Sequence, residues 1–498
     1  MTTKTTRPDS RMSVAEVVEE AQRLYHLART TDGLLVAYPR AAGRLRVVTE
    51  IRALRAKLIL HFQGIGQAVS RQTMDDALLG LSAIATTAPE VRAHLRVGQH
   101  GPAVYLDLGA TLSDSSFIEV SPFGWELVDA AEREEGDALP IFRRTSATKE
   151  LPAPERPGPG DDPRAEFAEL LGLSPDDDRF RLLWGWLVAA LFERSPRPIL
   201  WALGPQGSGK STRARMILSV LEPCDALGRP PGDSERDDST SARGRYLPSW
   251  DNIGSIGAKT SDWLCRLVTG VEIDRRTLFT DDDVRTTVLR RSGVATSIVL
   301  PYGLGPDALE RLVLLEFDRM PDADRRTESE LWEAFHRLHP RLLGALLDDV
   351  AGTLRALQSV RAQPPPRLPR MADYALVLAA LDLHRGPGHL DAYVSAVTDV
   401  LASRAVEDPF TAGLIAVASS AEDKTWKGTA EALYKRLEPF RPDDPRAPWP
   451  RSSRSLGHAV TNASETLRAA GLEVVRSKSG ATRLLTLRLV GTNLAAAG

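Results

Sequence analysis

Cysteine is nearly missing from this chain: its 498 residues contain two, Cys224 and Cys265. Two thiols can neither hold a metal alone nor build a disulfide framework, and each reads as a small core residue. Long hydrophobic runs are also lacking. The longest, Leu182 to Phe192, sits between Arg181 and Glu193 and is too short to span a bilayer. The opening residues, MTTKTTRPDSRMS, hold no apolar stretch of the kind a secretory signal needs. The cytoplasm is the expected compartment, with no membrane partner. Nor is there a basic excess: 63 Lys and Arg stand against 66 Asp and Glu, for a net charge of −3. That excludes binding of a polyanion by overall charge and leaves only local patches to consider.

What is present suffices for a folded chain of two to four domains, since 42% of the residues are apolar. Arginine far outnumbers lysine and alanine is abundant, as in a GC-rich bacterial coding sequence. Residues 1–12 read as a tail. Helical periodicity covers 13–30 and 72–88, and strand patterns follow at Val104–Leu108, Phe117–Val120 and Trp125–Val128. These predict an α+β N-terminal domain over 1–150. A proline-rich linker, LPAPERPGPGDDP, spans 151–164. The expected fold class is α/β. A nucleotide-binding core spans 165–320 and a helical segment 321–405, with helices over Glu328–Leu338, Leu342–Gln358 and 371–402. Residues 406–498 read as a winged-helix-like domain. In that last part a helix is expected at Thr429–Leu437 and another at Ser453–Ala470, then strands at Leu472–Arg476 and Leu484–Arg488.

The most specific motif is Gly204-Pro205-Gln206-Gly207-Ser208-Gly209-Lys210-Ser211-Thr212, which fits G-x-x-x-x-G-K-[ST]. A short apolar run, Pro198–Leu203, precedes it, and a helical pattern, Ser211–Leu221, follows. Glycines let backbone N–H groups turn inward on phosphate oxygens, and the helix start adds partial positive charge. The motif implies ATP as ligand, with Lys210 on the β- and γ-phosphates and Ser211 on Mg²⁺.

Such a loop needs an acidic partner. Tyr246-Leu247-Pro248-Ser249-Trp250-Asp251-Asn252 supplies Asp251 as a Mg²⁺ ligand, direct or through water, although Pro248 and Ser249 interrupt its strand pattern. Asn252 stands where many ATPases carry glutamate; an amide orients water but takes no proton. Thr296 and Ser297, in VATSIVL, end a strand where hydroxyls can sense the γ-phosphate or its water; alternatively they satisfy nearby backbone groups. Arg311 lies between a short helix and a strand, placed for an arginine finger on a neighbour's nucleotide or for a pair with Asp307 or Glu310.

These motifs in succession (P-loop, WDN, SDWLCRLVTG, DRRTLFTDDD, ATSI, DALERL) resemble the superfamily 3-like AAA+ helicase domain of phage, plasmid and integrated-element replication proteins. The nearest resemblance is to actinobacterial ATP-binding proteins related to phage primase-helicases. It covers residues 165–320 most clearly. It implies ATP and Mg²⁺ as cofactors and a homo-oligomeric ring, commonly hexameric, moving on single-stranded or forked DNA. By resemblance Asp251 is the Walker B acid, Thr296 and Ser297 form sensor 1, Arg311 is the finger, and Arg276 sits near the subunit interface or DNA.

Two departures stand out. The Walker B glutamate is replaced by Asn252. The expected hairpin over 276–291 also carries Asp281, Asp282 and Asp283 at its turn, which would repel phosphate, leaving Arg285, Arg290 and Arg291 to face a pore. Residues 1–150 contain no apolar-flanked D-x-[DE] pair, so two-metal polymerase chemistry is not expected there.

From 421 to the end, thirteen Lys and Arg stand against eight Asp and Glu. Arg476, Lys478, Arg483 and Arg488 would lie on a wing, with Arg451, Arg454 and Arg468 on or beside the preceding helix. This basic set reads as a DNA-backbone contact, as a solvated face, or as a winged helix used against protein. His336 and His339, and His384 and His389, form no metal-ligand pattern. The leading expectation is a DNA helicase or DNA-remodelling ATPase in replication of a phage or mobile element. A regulatory ATPase switch, as in phage defence, and a P-loop small-molecule kinase are the alternatives.

Overall fold

The computed structural model describes residues 12–40, 46–109, 116–130, 139–232, 234–276, 284–321, 325–443, 449–479 and 482–490. It is a mixed α/β chain. Helix α1 (Val14–Leu24) starts at a capping box in which Ser13 and Glu16 satisfy each other's backbone amides. The helix expected to run to residue 30 stops at Leu24. Tyr25–Thr30 is instead strand β1, paired antiparallel with β2 (Leu35–Pro39) across a turn at Gly33, whose φ is +79°. Strand pairing overrides the helical pattern here, because Ala28 and Thr30 gain burial on one face.

Strand β3 (Arg46–Glu50), helices α2 (Leu54–Gly64) and α3 (Arg71–Thr87), and the short β4 (Glu90–Val91) and β5 (Ala93–His94) follow. A meander comes next: β6 (Val97–His100), β7 (Ala103–Asp107), β8 (Ser116–Ser121) and β9 (Gly124–Asp129), then β10 (Ile141–Arg143). Two sheets result. One has order β4-β1-β2-β3-β10-β5; the other is the antiparallel β6-β7-β8-β9.

Helix α4 (Pro163–Leu170) and helix α5 (Asp178–Ala190) lead into the central sheet. α5 is buried almost all round, with Trp184 Nε1 donating to Asp349 at 2.8 Å and Trp186 Nε1 to the Pro198 carbonyl at 2.8 Å. β11 (Ile199–Leu203), α6 (Lys210–Ser219), α7 (Glu235–Arg243), β12 (Ser249–Trp250) and α8 (Ala258–Thr269) come next. The hairpin β13 (Val271–Arg276) and β14 (Val284–Leu289) precedes β15 (Val294–Ser297), α9 (Pro306–Leu309) and β16 (Leu312–Glu316). The central sheet has order β12-β15-β11-β16, and every pairing in it is parallel. The hairpin turn with Asp281, Asp282 and Asp283 lies outside the described residues.

The two helices expected over 328–358 are one. α10 (Glu328–Ala362) runs through Pro340, whose missing N–H removes one backbone bond without ending the helix. The Pro340 carbonyl instead accepts from the Glu155 amide at 3.0 Å and anchors the proline-rich segment. α11 (Ala372–Arg385) and α12 (His389–Glu407) divide at Gly386-Pro387-Gly388. The last unit contains α13 (Pro409–Ser419), β17 (Thr425–Gly428), α14 (Ala430–Leu437), α15 (Ser453–Asn462), α16 (Ser464–Ala469), β18 (Leu472–Ser479) and β19 (Thr482–Leu489). Its three-stranded sheet has order β17-β19-β18. The expected helix over 453–470 breaks at Ala463, and Ser452 caps its first part.

One apolar core runs unbroken from Leu95, just before the meander, through α5 and the central sheet, to Leu401 on α12. The last unit has its own core around Leu433, Leu456, Leu467 and Leu487. A third core lies between α1, α2 and α3. Among the described residues, no helix is long and apolar enough to cross a membrane.

Candidate active site

The turn from β11 into α6 is built by its glycines. Gly207 and Gly209 have φ of +80° and +69°, the left-handed region where a Cβ is strained, and Gly209 opens the helix from there. Gly204 is needed for close approach: a Cβ on it would lie 2.6 Å from both the Phe317 carbonyl and Ser208 Oγ. Under the loop, the largely buried Arg213 donates to the Ser208 carbonyl at 2.8 Å and lies over the Phe317 ring at 5.0 Å. Burial, followed by the nearby Arg179 charge, lowers the Arg213 pKa from its ordinary value. Ser208 is fully buried and its Oγ has no hydrogen-bond partner among the described residues. Pro205, Gln206 and Gly207 are exposed at the loop crest, and Lys210, Ser211 and Thr212 are half-buried at the start of α6. The first N–H groups of α6 have no intrahelical acceptor and point out of the helix start.

Parallel pairing brings the acid to this loop. β15 lies between β11 and β12, so the C-terminal ends of all three strands share one edge. There Asp251 Oδ1 accepts from Ser211 Oγ at 2.9 Å and from Thr296 Oγ1 at 2.5 Å. The Asn252 backbone N–H donates to the same Thr296 hydroxyl at 2.9 Å. The Asp251 amide is fixed on the Gly228 carbonyl at 2.8 Å. Asn252 sits at φ +53°, a conformation asparagine adopts more readily than most residues. Lys210, Ser211, Asp251, Asn252 and Thr296 are therefore one constellation. Lys210 makes no hydrogen bond or ion pair among the described residues. A serine hydroxyl, a carboxylate and a lysine at a glycine-built turn into a helix start match the hard-oxygen and anionic demands of Mg²⁺ and a triphosphate. The described residues hold no cluster of three or more His, Cys, Asp or Glu fit for a metal on its own.

Ser297 stands apart from this group. Its fully buried Oγ accepts from Trp201 Nε1 at 2.8 Å, a packing role within the sheet. Arg311 lies at the far end: it precedes β16, and its carbonyl accepts from the Ile199 amide at the start of β11. The five-residue strand β11 separates it from the loop by about 16 Å. Its side chain is 11% exposed and pairs with Asp307 at 2.5 Å, which Arg370 also contacts.

Other arginines near the loop were not legible as site residues. Arg325 Nη2 comes within 3.4 Å of the position a Cβ would take on Gly207. Arg179 holds Asp177, the Glu316 carbonyl and Asp318. Arg179 precedes the central sheet and Arg325 follows it, and no motif marks either in the sequence.

The expected DNA contacts divide. Arg276 and Arg285 lie in the backbone of the β13–β14 hairpin, and their side chains fall outside the described residues. Arg290 donates to the carbonyls of Arg194 (2.8 Å) and Thr269 (3.3 Å). Arg291 is not free to line a pore: it is half-buried and donates to the Arg245 and Ala242 carbonyls, and desolvation pushes its pKa down to about 10. Arg476 donates to the Gly457 carbonyl at 2.7 Å and to Thr461. It ties β18 to α15 while staying exposed. Arg454, Lys478 and Arg483 are exposed, whereas Arg468 pairs with Glu465 at 3.1 Å.

No curated protein sequence matches the chain. Among solved structures, it is similar to an SCCmec type IV Cch described as an active helicase, at 12% identity and a TM-score of 0.44, over 93% of each chain. It is similar to the NrS-1 C-terminal region at 12% identity and a TM-score of 0.39, over 96% of this chain and 100% of that one. It is also similar to the JCV helicase at 14% identity and a TM-score of 0.25, over 46% of this chain and 65% of that one. Residues 174–403 match the family model of the actinomycete integrative conjugative element replication protein, and residues 410–496 match the model of that replication protein's C-terminal domain.

Proposed function

We propose that the chain is an ATP-hydrolysing AAA+ motor of the superfamily 3 type that acts on DNA during replication of an integrated element, and that it works as a homo-oligomer, a hexameric ring being the favoured form. The observation that carries this reading is the meeting of Lys210, Ser211, Asp251 and Thr296 at one edge of a parallel sheet. The family match supplies the replication setting.

Each group then has a task. The amides of 207–211 and the Lys210 ammonium hold the phosphates. Ser211 and Asp251 provide oxygens for Mg²⁺, which when bound would neutralise charge on the phosphate oxygens. Thr296 fixes the Asp251 carboxylate, and Asn252 orients water without taking its proton. Arg311, too far from its own loop, would serve a neighbouring subunit's site after leaving Asp307. The exposed Arg454, Lys478 and Arg483 suit a DNA backbone.

Steady-state ATP turnover with and without single-stranded or forked DNA tests the proposal. Turnover should rise with DNA and vanish in Lys210→Ala. Turnover without DNA stimulation, together with no DNA binding at low salt, would remove the DNA role. A regulatory switch draws its support from Asn252, which favours slow hydrolysis.

A further inference from the structure

Asp307 in α9 and Glu310 at its end are shared by two arginines. Arg311 Nη1 pairs with Asp307 Oδ2 at 2.5 Å and donates to the Asp307 carbonyl at 2.6 Å. Arg370, on the segment between α10 and α11, takes the other oxygen: its Nη2 pairs with Asp307 Oδ1. Its Nη1 pairs with Glu310 Oε2 at 2.9 Å. The two guanidinium groups therefore hold different oxygens of Asp307, and the fork of Arg370 spans two carboxylates. The Glu310 side chain is largely buried, at 13% exposed, and its carbonyl accepts from Tyr393 on α12 at 3.4 Å. The neighbouring Cys265 thiol adds no charge, since burial pushes its pKa up to about 12.

Two cations and two anions thus balance beside α9. The resting contacts of Arg311 are incomplete, because its buried Nε has no hydrogen-bond partner among the described residues. If Arg311 leaves, Asp307 keeps Arg370 on Oδ1 and Glu310 keeps it on Oε2. Neither carboxylate is then stripped of its cation. Without Arg370, the same departure leaves both with no cation among the described residues, and a largely buried carboxylate is costly to strand. Arg370 also repels Arg311 across the carboxylate they share, which loosens the hold on Arg311.

We infer that Arg370 is a positioning residue for Arg311: it holds Asp307 and Glu310 while Arg311 moves out to the phosphates of a neighbouring subunit. This rests on the reading that Arg311 completes a neighbour's site. Arg370 touches no reacting atom, and its effect falls on the release of Arg311.

The test is ATP turnover by the full chain and by mixed oligomers. Arg370→Ala should lower kcat roughly three- to tenfold, as expected for a partly exposed charge pair, and leave KM for ATP unchanged. Arg370→Lys, which keeps the charge, should recover most of the rate. Asp307→Asn added to Arg370→Ala should also recover it, because the group that holds Arg311 is then neutral. Mixing shows which subunit is affected. In a mixture, the Lys210→Ala protein lends its Arg311 to the intact loop of the Arg311→Ala protein. Arg370→Ala should reduce the recovered turnover when added to the Lys210→Ala protein and not when added to the Arg311→Ala protein. A folding defect would act from both sides. If Arg311→Ala turns over normally, or the two proteins co-assemble without recovering turnover, the neighbour-site reading falls and this inference with it. If that reading holds, and Arg370→Ala is as fast as the unaltered chain, faster, or slowed equally from both sides of the mixture, only the role of Arg370 is overturned.

Discussion

Thr296 and Asp251 are joined by a 2.5 Å hydrogen bond from the threonine hydroxyl to carboxylate Oδ1, and the Asn252 backbone N–H donates to that hydroxyl at 2.9 Å. One side chain therefore positions both the acid and the residue after it. Thr296→Val removes one of the two donors to the carboxylate, leaving Ser211 Oγ, and leaves the Asn252 backbone amide without its acceptor. A hydrogen bond to a charged group is worth about 1.5–3 kcal/mol, so kcat should fall roughly 10- to 100-fold. KM should change little, because the phosphate loop is untouched. Thr296→Ser should restore most of the rate. Steady-state kinetics of the three proteins check this.

Arg311 and Lys210 lie at opposite ends of β11. If Arg311 acts on a neighbour, Arg311→Ala binds nucleotide normally and loses turnover by roughly 10³-fold or more. Lys210→Ala and Arg311→Ala would then complement each other. Mixed oligomers contain interfaces with one intact loop and one intact arginine, so mixing should recover part of the turnover. Two inactive proteins that stay inactive on mixing, though they co-assemble, would count against a shared site.

Asn252→Glu introduces a group that can take a proton. Turnover should rise several-fold if hydrolysis is limited by that missing base. Asn252 has φ +53°, and glutamate tolerates this left-handed backbone less well, at a cost of about 1 kcal/mol. The variant should therefore be faster and slightly less stable. Measuring turnover and urea unfolding on the same preparation separates the two effects.

His339 on α10 hydrogen-bonds the Val220 carbonyl at 3.1 Å, next to the end of α6. Burial pushes its pKa down from 6.5 to about 4, against the opposing pull of that hydrogen bond. Between those values the unfolded chain holds the extra proton. Stability is fully present above about pH 6.5 and is lost as pH falls toward 4. From pH 7 to pH 5 the loss from this residue alone is about 2 kcal/mol, at 1.4 kcal/mol per unit below 6.5. His339→Gln should flatten this part of the pH–stability curve, as read from denaturant midpoints at pH 5, 6 and 7.

The phosphate loop was legible because its information is local. Three glycines, a lysine and a hydroxyl within nine residues specify one turn. Asp251 was legible as a residue but not as a geometry, since β12 has only two residues and depends on β15 for its placement. Ser297 could not be separated from Thr296, because the difference lies in Trp201, 96 residues away. The inward hydrogen bonding of Arg291 was hidden for the same reason: its partners are the carbonyls of Ala242 and Arg245 on another segment. Tyr25–Thr30 misled through periodicity, where distant pairing outweighed a continuing helical pattern. Pro340 misled in the opposite sense, since a single lost N–H did not outweigh the packing of a 35-residue helix.

The unbroken core has a practical consequence for anyone dissecting the chain. Trp125 of the meander bonds Asp348 at 2.9 Å, and the Arg156 guanidinium lies over its ring at 4.3 Å. Arg96, also before the proline-rich segment, lies against Glu222 just beyond α6 at 3.6 Å. A fragment begun at residue 165 would strip this cover from α5 and α10 and leave Glu222 buried beside an absent cation. The minimal unit suggested by motif boundaries is thus a poor one to express; the meander belongs with it as part of the same folded body.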